Sequence, residues 1–274
     1  MTRVCVIGGG TMGRGIAGVA AASGYEAVLV DVDQAALDRA RDAIALRLER
    51  DGAAERLGAV TFSLTIEDAV PGADVVVEAV PEILELKQQT FARIAAAASP
   101  TALLATNTST MSVTRIAEGA NGSPRVIGMH FFNPVHRMPL VELVAGEQTS
   151  DATVDDALAL ARALGKEPIV VRDVPGFVTS RLGLLLGNEA MRIVEEGIAS
   201  AEDVDKAMKL GYRHPMGPLE LADLVGLDAR LNNVRSMYEQ SRLEQYRPPA
   251  ILERLVAEGK LGRKSGSGFY DYGE

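Results

Sequence analysis

His130 and Glu142 are the residues of this chain best suited to moving a proton. Glu142 stands in Leu140-Val141-Glu142-Leu143-Val144. Alternate residues of a strand share a face, so Glu142 lies beside Leu140 and Val144 while Val141 and Leu143 cover the other side. Apolar residues on both sides describe a strand buried on both faces. A carboxylate alone in such a place costs several kcal/mol or takes up a proton, so it needs a partner. His130, which opens His130-Phe131-Phe132-Asn133-Pro134, is the candidate. A carboxylate beside an imidazole fixes its tautomer and steadies the imidazolium formed when the ring accepts a proton, which suits a general base. The same residues also allow an edge strand with Glu142 in solvent and His130 as a core histidine whose hydrogen bonds are met.

A second constellation lies at the start of the chain. Val4 to Ile7 leads into Gly8-Gly9-Gly10-Thr11-Met12-Gly13, which matches G-x-G-x-x-G at Gly8, Gly10 and Gly13. Gly8 permits the tight turn, Gly10 lets a pyrophosphate reach the backbone, and Gly13 lets the helix pack close to the strand. The N–H groups of the helix start, around Thr11 and Met12, then face the phosphates. The following strand ends in Asp31, where a carboxylate bonds the ribose hydroxyls and repels a 2′-phosphate, so NAD is expected rather than NADP.

These groups need elements to hold them. In the first half, short Val/Ile/Leu runs alternate with helical stretches, the pattern of a parallel sheet covered on both faces. Strands are predicted at 3–7, 26–31, 60–63, 74–79, 103–106, 126–130, 140–144 and 168–172, and helices at 12–23, 34–50, 83–98 and 152–164. At Asp173-Val174-Pro175-Gly176 the strand pattern stops and helical periodicity takes over. The expected fold is therefore α/β: an N-terminal Rossmann-type, doubly wound, mostly parallel sheet over 1–178, followed by an all-α domain over 179–274. The apolar helices of the second domain suggest a substrate wall and a homodimer surface, a monomer with capping helices being the alternative.

Composition narrows the classes of function. A net charge of −9 argues against nucleic acid or an anionic membrane as partner. With no Trp and 4% aromatics, the core must be aliphatic. The single Cys5 rules out an internal disulfide and fits a reducing cytoplasm. No signal peptide is visible and no stretch is long and apolar enough for a membrane helix. No metal-ligand cluster stands out.

Together these motifs resemble the short-chain L-3-hydroxyacyl-CoA dehydrogenase family, particularly bacterial 3-hydroxybutyryl-CoA dehydrogenases, over nearly the whole length. The similarity is carried by Asn107-Thr108-Ser109, the His130-Phe131-Phe132-Asn133-Pro134 run, Pro175-Gly176-Phe177, Met208-Lys209-Leu210-Gly211 with Pro215-Met216-Gly217-Pro218, and Gly262-Arg263-Lys264-Ser265-Gly266 with Gly268-Phe269-Tyr270. The resemblance implies that an (S)-3-hydroxyacyl-CoA is oxidised to the 3-oxoacyl-CoA, and the reverse, with His130 as the base, Glu142 orienting it and Ser109 contacting the reacting hydroxyl. A capping role is the alternative for Ser109. It further implies cofactor contacts at Glu82, Lys87, Asn107, Asn133 and Lys264, although the charged ones could be ordinary surface residues.

Two departures accompany the match. Ser180 stands where many relatives carry a catalytic asparagine, and serine has a shorter reach and no amide carbonyl. Between Arg50 and Val60 the helical hairpin that supports the CoA nucleotide in longer relatives is trimmed, leaving Arg47, Arg50 and Arg56 either to hold phosphate or to form a solvated face. His136 and His214 are expected to be a bystander and a turn residue. Two other readings remain: the same chemistry on a carrier-bound acyl group or a free hydroxy or sugar acid, as in gulonate dehydrogenases, and a non-catalytic NADH-binding module.

Overall fold

The computed structural model describes residues 2–273. The chain divides between Phe177 and Val178 into two compact units. The first carries strands β1 (Arg3–Ile7), β2 (Glu26–Val30), β3 (Val60–Ser63), β4 (Val75–Glu78), β5 (Leu103–Thr106), β6 (Val126–Phe131), β7 (Leu140–Ala145) and β8 (Glu167–Arg172). Its helices are α1 (Thr11–Ala22), α2 (Gln34–Arg50), α3 (Ile66–Ala69), α4 (Leu84–Ala97), α5 (Val113–Ala117) and α6 (Asp151–Ala163).

One sheet holds the strands in the order β3-β2-β1-β4-β5-β6-β7-β8. Pairing is parallel from β3 to β6, antiparallel between β6 and β7, and parallel again between β7 and β8. The strand order reverses between β1 and β4, so a crevice opens beyond their carboxyl ends, where open α/β sheets bind ligands. Val4, Val6, Leu29, Val75 and Val77 face a layer that includes α1 and α2, while the alternate residues Cys5, Ile7, Val28, Val30 and Val76 face the opposite layer. Burial pushes the Cys5 thiol up to about 12, which disfavours the reactive thiolate.

Helix starts follow their sequence signals. Asp33 accepts from the Ala35 N–H to begin α2, and Ser150 accepts from the Thr153 N–H to begin α6. Several element ends differ from the sequence expectation by a residue, and two differences matter more. β6 extends to Phe131, so His130 lies within a strand instead of ending one. α3 and α5 went unanticipated, because four and five residues are too few to show a period. Between α2 and β3 there is only a 3-10 turn, Ala54–Ala59, in keeping with the trimmed hairpin expected there.

The second unit consists of α7 (Thr179–Glu195), α8 (Ala201–Gly211), α9 (Pro218–Val225), α10 (Leu227–Ser241) and α11 (Ala250–Ala257). Leu184, Met191, Leu219, Leu231, Val234 and Met237 form part of its own aliphatic core. Ser200 accepts from the Asp203 N–H to start α8, and Asp205 accepts from the Leu219 and Glu220 N–H groups to start α9. Among the described residues no helix is long and apolar enough to cross a membrane.

Candidate active site

His130 and Glu142 are directly opposite each other in the antiparallel pairing of β6 with β7. Their side chains meet, His130 Nδ1 lying 2.7 Å from Glu142 Oε2. The strand is buried as its apolar run demands, with Glu142 0% and His130 6% exposed. An ionised carboxylate only accepts hydrogen bonds, so Nδ1 carries the proton and Nε2 is the basic nitrogen. Phe132 and Phe177 flank the imidazole, with ring centroids 4.4 and 6.0 Å away. The edge-strand alternative fails, since β8 covers the far side of β7.

Beyond β1 and β4 lies a cleft of about 680 Å³ lined by Gly8, Gly10, Thr11, Met12, Asp31, Glu82, Asn107 and Ser109, among others. The glycines there do what the motif requires. Gly8 has φ +109°, and a Cβ on it would sit 2.6 Å from the Ala79 carbonyl oxygen. A Cβ on Gly13 would collide with the Gly8 carbonyl oxygen at 1.8 Å, whereas nothing stands within 4 Å of one on Gly10. The backbone at Gly10 is thus open to a pyrophosphate, with the N–H groups of the first turn of α1 behind it. Asp31 Oδ2 accepts from the Gly9 N–H at 2.7 Å and Oδ1 from the Asp33 N–H at 3.0 Å. That carboxylate steadies the glycine loop and keeps further lone pairs for a ribose. The residues present fit a dinucleotide.

Asn107 joins the cleft to the histidine strand: its Oδ1 accepts from the Phe131 N–H at 3.0 Å, and its own N–H donates to the Glu78 carbonyl. Ser109 donates its N–H to Glu82 Oε1 at 2.7 Å, and the same oxygen accepts from the Thr108 hydroxyl at 2.9 Å. Lys87 is no surface residue. It is 0% exposed, and its ammonium lies 2.8 Å from Glu78 Oε1, 3.2 Å from the Val80 carbonyl and 3.3 Å from Glu82 Oε2. Glu78, also 0% exposed, accepts from the Thr106 hydroxyl at 2.7 Å. Sequence reasoning missed Glu78 and Thr106, although an acid closing the run Val75-Val76-Val77 carried the same signal that marked Glu142.

A smaller crevice of about 300 Å³ shares Thr11 with the cleft and is lined by Arg14, Arg47, Arg50, Asn133, His136 and Arg137 among others. Arg47 is bound to Asp51 through Nε at 2.6 Å. Burial, then Arg47 and Arg137, holds His136 below the usual histidine range. Arg56 takes no part: its guanidinium donates to the Ala21 and Tyr25 carbonyls at 3.0 and 3.3 Å and fastens the 3-10 turn to α1. Lys166 is buried and donates to the Val135 and Met138 carbonyls, fixing the loop after β6. Desolvation holds its ammonium below the ordinary lysine value.

The remaining expected residues belong to the helical unit. Ser180 is in the first turn of α7 and half-buried. Lys264 Nζ is 2.5 and 2.7 Å from the Asp228 carboxylate. His214 follows Arg213, at φ +59°, in the turn after α8.

The family model described as 3-hydroxyacyl-CoA dehydrogenase, NAD binding domain, matches residues 3–174, and that of the C-terminal domain of the same family matches 176–272. A probable 3-hydroxybutyryl-CoA dehydrogenase of Bacillus subtilis is 41% identical, over 99% of this chain and 98% of its own length. The mitochondrial hydroxyacyl-coenzyme A dehydrogenase of Sus scrofa is 39% identical, over 98% and 90%. The crystal structure of (S)-3-hydroxybutyryl-CoA dehydrogenase from Ralstonia eutropha superposes with a TM-score of 0.94 at 40% identity, covering all of both chains. With its dinucleotide cleft and these similarities over its whole length, the chain belongs to the 3-hydroxyacyl-CoA dehydrogenase family and is an oxidoreductase whose cofactor is NAD.

Proposed function

We propose that the chain interconverts an (S)-3-hydroxyacyl-CoA of short chain length, such as 3-hydroxybutyryl-CoA, with its 3-oxo partner, and that His130 is the general base. The buried pair of His130 Nδ1 with Glu142 Oε2 at 2.7 Å carries this reading. It leaves Nε2 to take the hydroxyl proton, and the nearby carboxylate stabilises the imidazolium that results. Ser109, on the loop that lines the cleft, is the group for the reacting hydroxyl. Gly8, Gly10, Thr11, Met12 and Gly13 hold the pyrophosphate, and Asp31 the ribose. NAD supplies the hydride acceptor when bound. Asn107 keeps the end of β6 in register with the cleft through its bond to the Phe131 N–H.

The smaller crevice favours a CoA thioester over a free acid. Arg14, Arg47, Arg50 and Arg137 outnumber Asp51 there, and a phosphate-rich nucleotide gains more from such a lining than a single carboxylate does. We place the protein in the cytoplasm as a homodimer formed through the helical unit. Support comes from its lone, buried Cys5 and from the exposed Leu182, Ile198, Leu210, Leu224 and Val225 of that unit.

The purified protein is expected to oxidise NADH with acetoacetyl-CoA, and with acetoacetate at least about a hundredfold less efficiently. His130→Gln should lower kcat by about a thousandfold while NADH affinity stays within about twofold. Turnover equal to the wild type in that variant would remove His130 as the base. Equal efficiency on the free acid would remove the thioester.

A further inference from the structure

We propose that Arg230 forms a carboxylate-binding site in the helical unit, taking the terminal carboxylate of an acyl chain or that of a free small dicarboxylate. On α10 it sits among Leu227, Leu231, Val234 and Met237 on the buried stripe, where an apolar residue is the rule. Arg230 is 8% exposed, and its guanidinium reaches across to α7. There Nη2 donates to the Gly183 and Leu184 carbonyls at 2.8 and 3.2 Å. Gly187 makes the room, since a Cβ on it would lie 1.8 Å from Nη2.

The protein does not satisfy this guanidinium. Among the described residues only Nη2 has acceptors, and Nε is buried with no hydrogen-bond partner. No acid opposes the charge: burial pushes the group down to about 10, which still leaves it protonated at neutral pH. Asn188, the residue after Gly187, is 0% exposed, and neither its amide nitrogen nor its amide oxygen has a partner. Among the described residues, the buried side-chain N and O atoms without partners are all on these two residues. A buried, unpaired charge is costly, and orphaned polar groups gathered at one place point to a ligand. A carboxylate suits the place. One guanidinium amid Leu184, Met191 and Leu231 matches a single negative charge on an apolar chain better than a doubly charged phosphate. Access runs along α7, where Ser180, Gly183 and Gly187 share a face at helical spacing. Gly183 is exposed, and nothing stands within 4 Å of a Cβ on it. The acyl source rests on the substrate reading above and would make that substrate a dicarboxylyl thioester; the free dicarboxylate does not rest on it.

The test compares two thioesters of equal chain length, 3-oxoadipyl-CoA, which ends in a carboxylate, and 3-oxohexanoyl-CoA, which ends in a methyl group. The wild type is expected to reduce the first with a kcat/KM at least about tenfold higher. Arg230→Met should lower that value about thirtyfold and leave the methyl-ended substrate within about twofold of the wild type. Calorimetric titration with adipate covers the other source. Adipate binding that weakens at least about tenfold in Arg230→Met, with no preference between the thioesters, would make the ligand a free dicarboxylate. A preference that survives the substitution would overturn the proposal, as would the lack of any preference together with no Arg230-dependent binding of adipate. Should Arg230→Met not fold, Arg230→Gln, which keeps an amide to donate to the α7 carbonyls, decides by the same readouts. Should the wild type turn over no 3-oxoacyl-CoA, the substrate reading falls while the adipate titration still decides the place of Arg230.

Discussion

Two carboxylates are fully buried in the same sheet, Glu142 on β7 and Glu78 at the end of β4, and they have different partners. Glu142 meets an imidazole, His130 Nδ1, at 2.7 Å. Glu78 meets an ammonium that also donates to the Val80 carbonyl and lies 3.3 Å from Glu82 Oε2. On the reading proposed for His130, the first pair holds a proton at Nδ1 and leaves Nε2 for the substrate. The second ties three pieces of chain together. Burial alone therefore does not say what an acid does, and the two partners give the two pairs different expected roles.

Replacing each acid by its amide should separate the two regions most sharply. Glu142→Gln keeps the size and a hydrogen-bond acceptor for Nδ1–H but removes the charge that steadies the imidazolium. We expect kcat to fall about a hundredfold, with stability changed by under about 1 kcal/mol, since a neutral pair remains satisfied. Steady-state kinetics beside thermal unfolding checks this; an intact kcat would show that His130 works without its acid.

Glu78→Gln should do the reverse. It keeps an amide oxygen to accept from Lys87 but removes the buried carboxylate charge, leaving only Glu82 as its counter-ion, and breaking a buried pair in this way costs about 3 kcal/mol. The melting temperature should drop by roughly 5–10 °C, with kcat reduced by less than about tenfold. A variant as stable as the wild type would mean that the Glu82 interaction alone satisfies Lys87, and the contrast between the pairs would narrow.

Most of the sheet was legible because buried strands leave uninterrupted apolar runs, and α2 and the strands at 60–63 and 103–106 lie where their residues predict. Glu142 was legible for the same reason, being flanked by apolar residues on both sides. Glu78, between Val77 and Ala79-Val80, carried the same signal and went unmarked. Lys87 left a signal as well: with Thr90, Phe91 and Ile94 it shares the buried stripe of α4 at helical spacing. A lysine on such a stripe needs an acid within the core, and the nearest candidate upstream in an apolar strand is Glu78. The bond from Asn107 to the Phe131 N–H left no signal, because it depends on the register of β5 beside β6.

Ser180 gives the smallest and finest test of whether the His130–Glu142 pair is self-sufficient. Family resemblance puts an asparagine at this point in the first turn of α7, and serine lacks its carbonyl and its reach. Ser180→Asn is expected to raise kcat by about threefold on acetoacetyl-CoA with NADH affinity unchanged, the size of effect one neutral hydrogen bond provides. A rise confined to kcat would place the amide in the transition state, as an aid to the imidazole. A lower KM at constant kcat would instead make position 180 part of the acyl site, and the proton chemistry would belong to the buried pair alone.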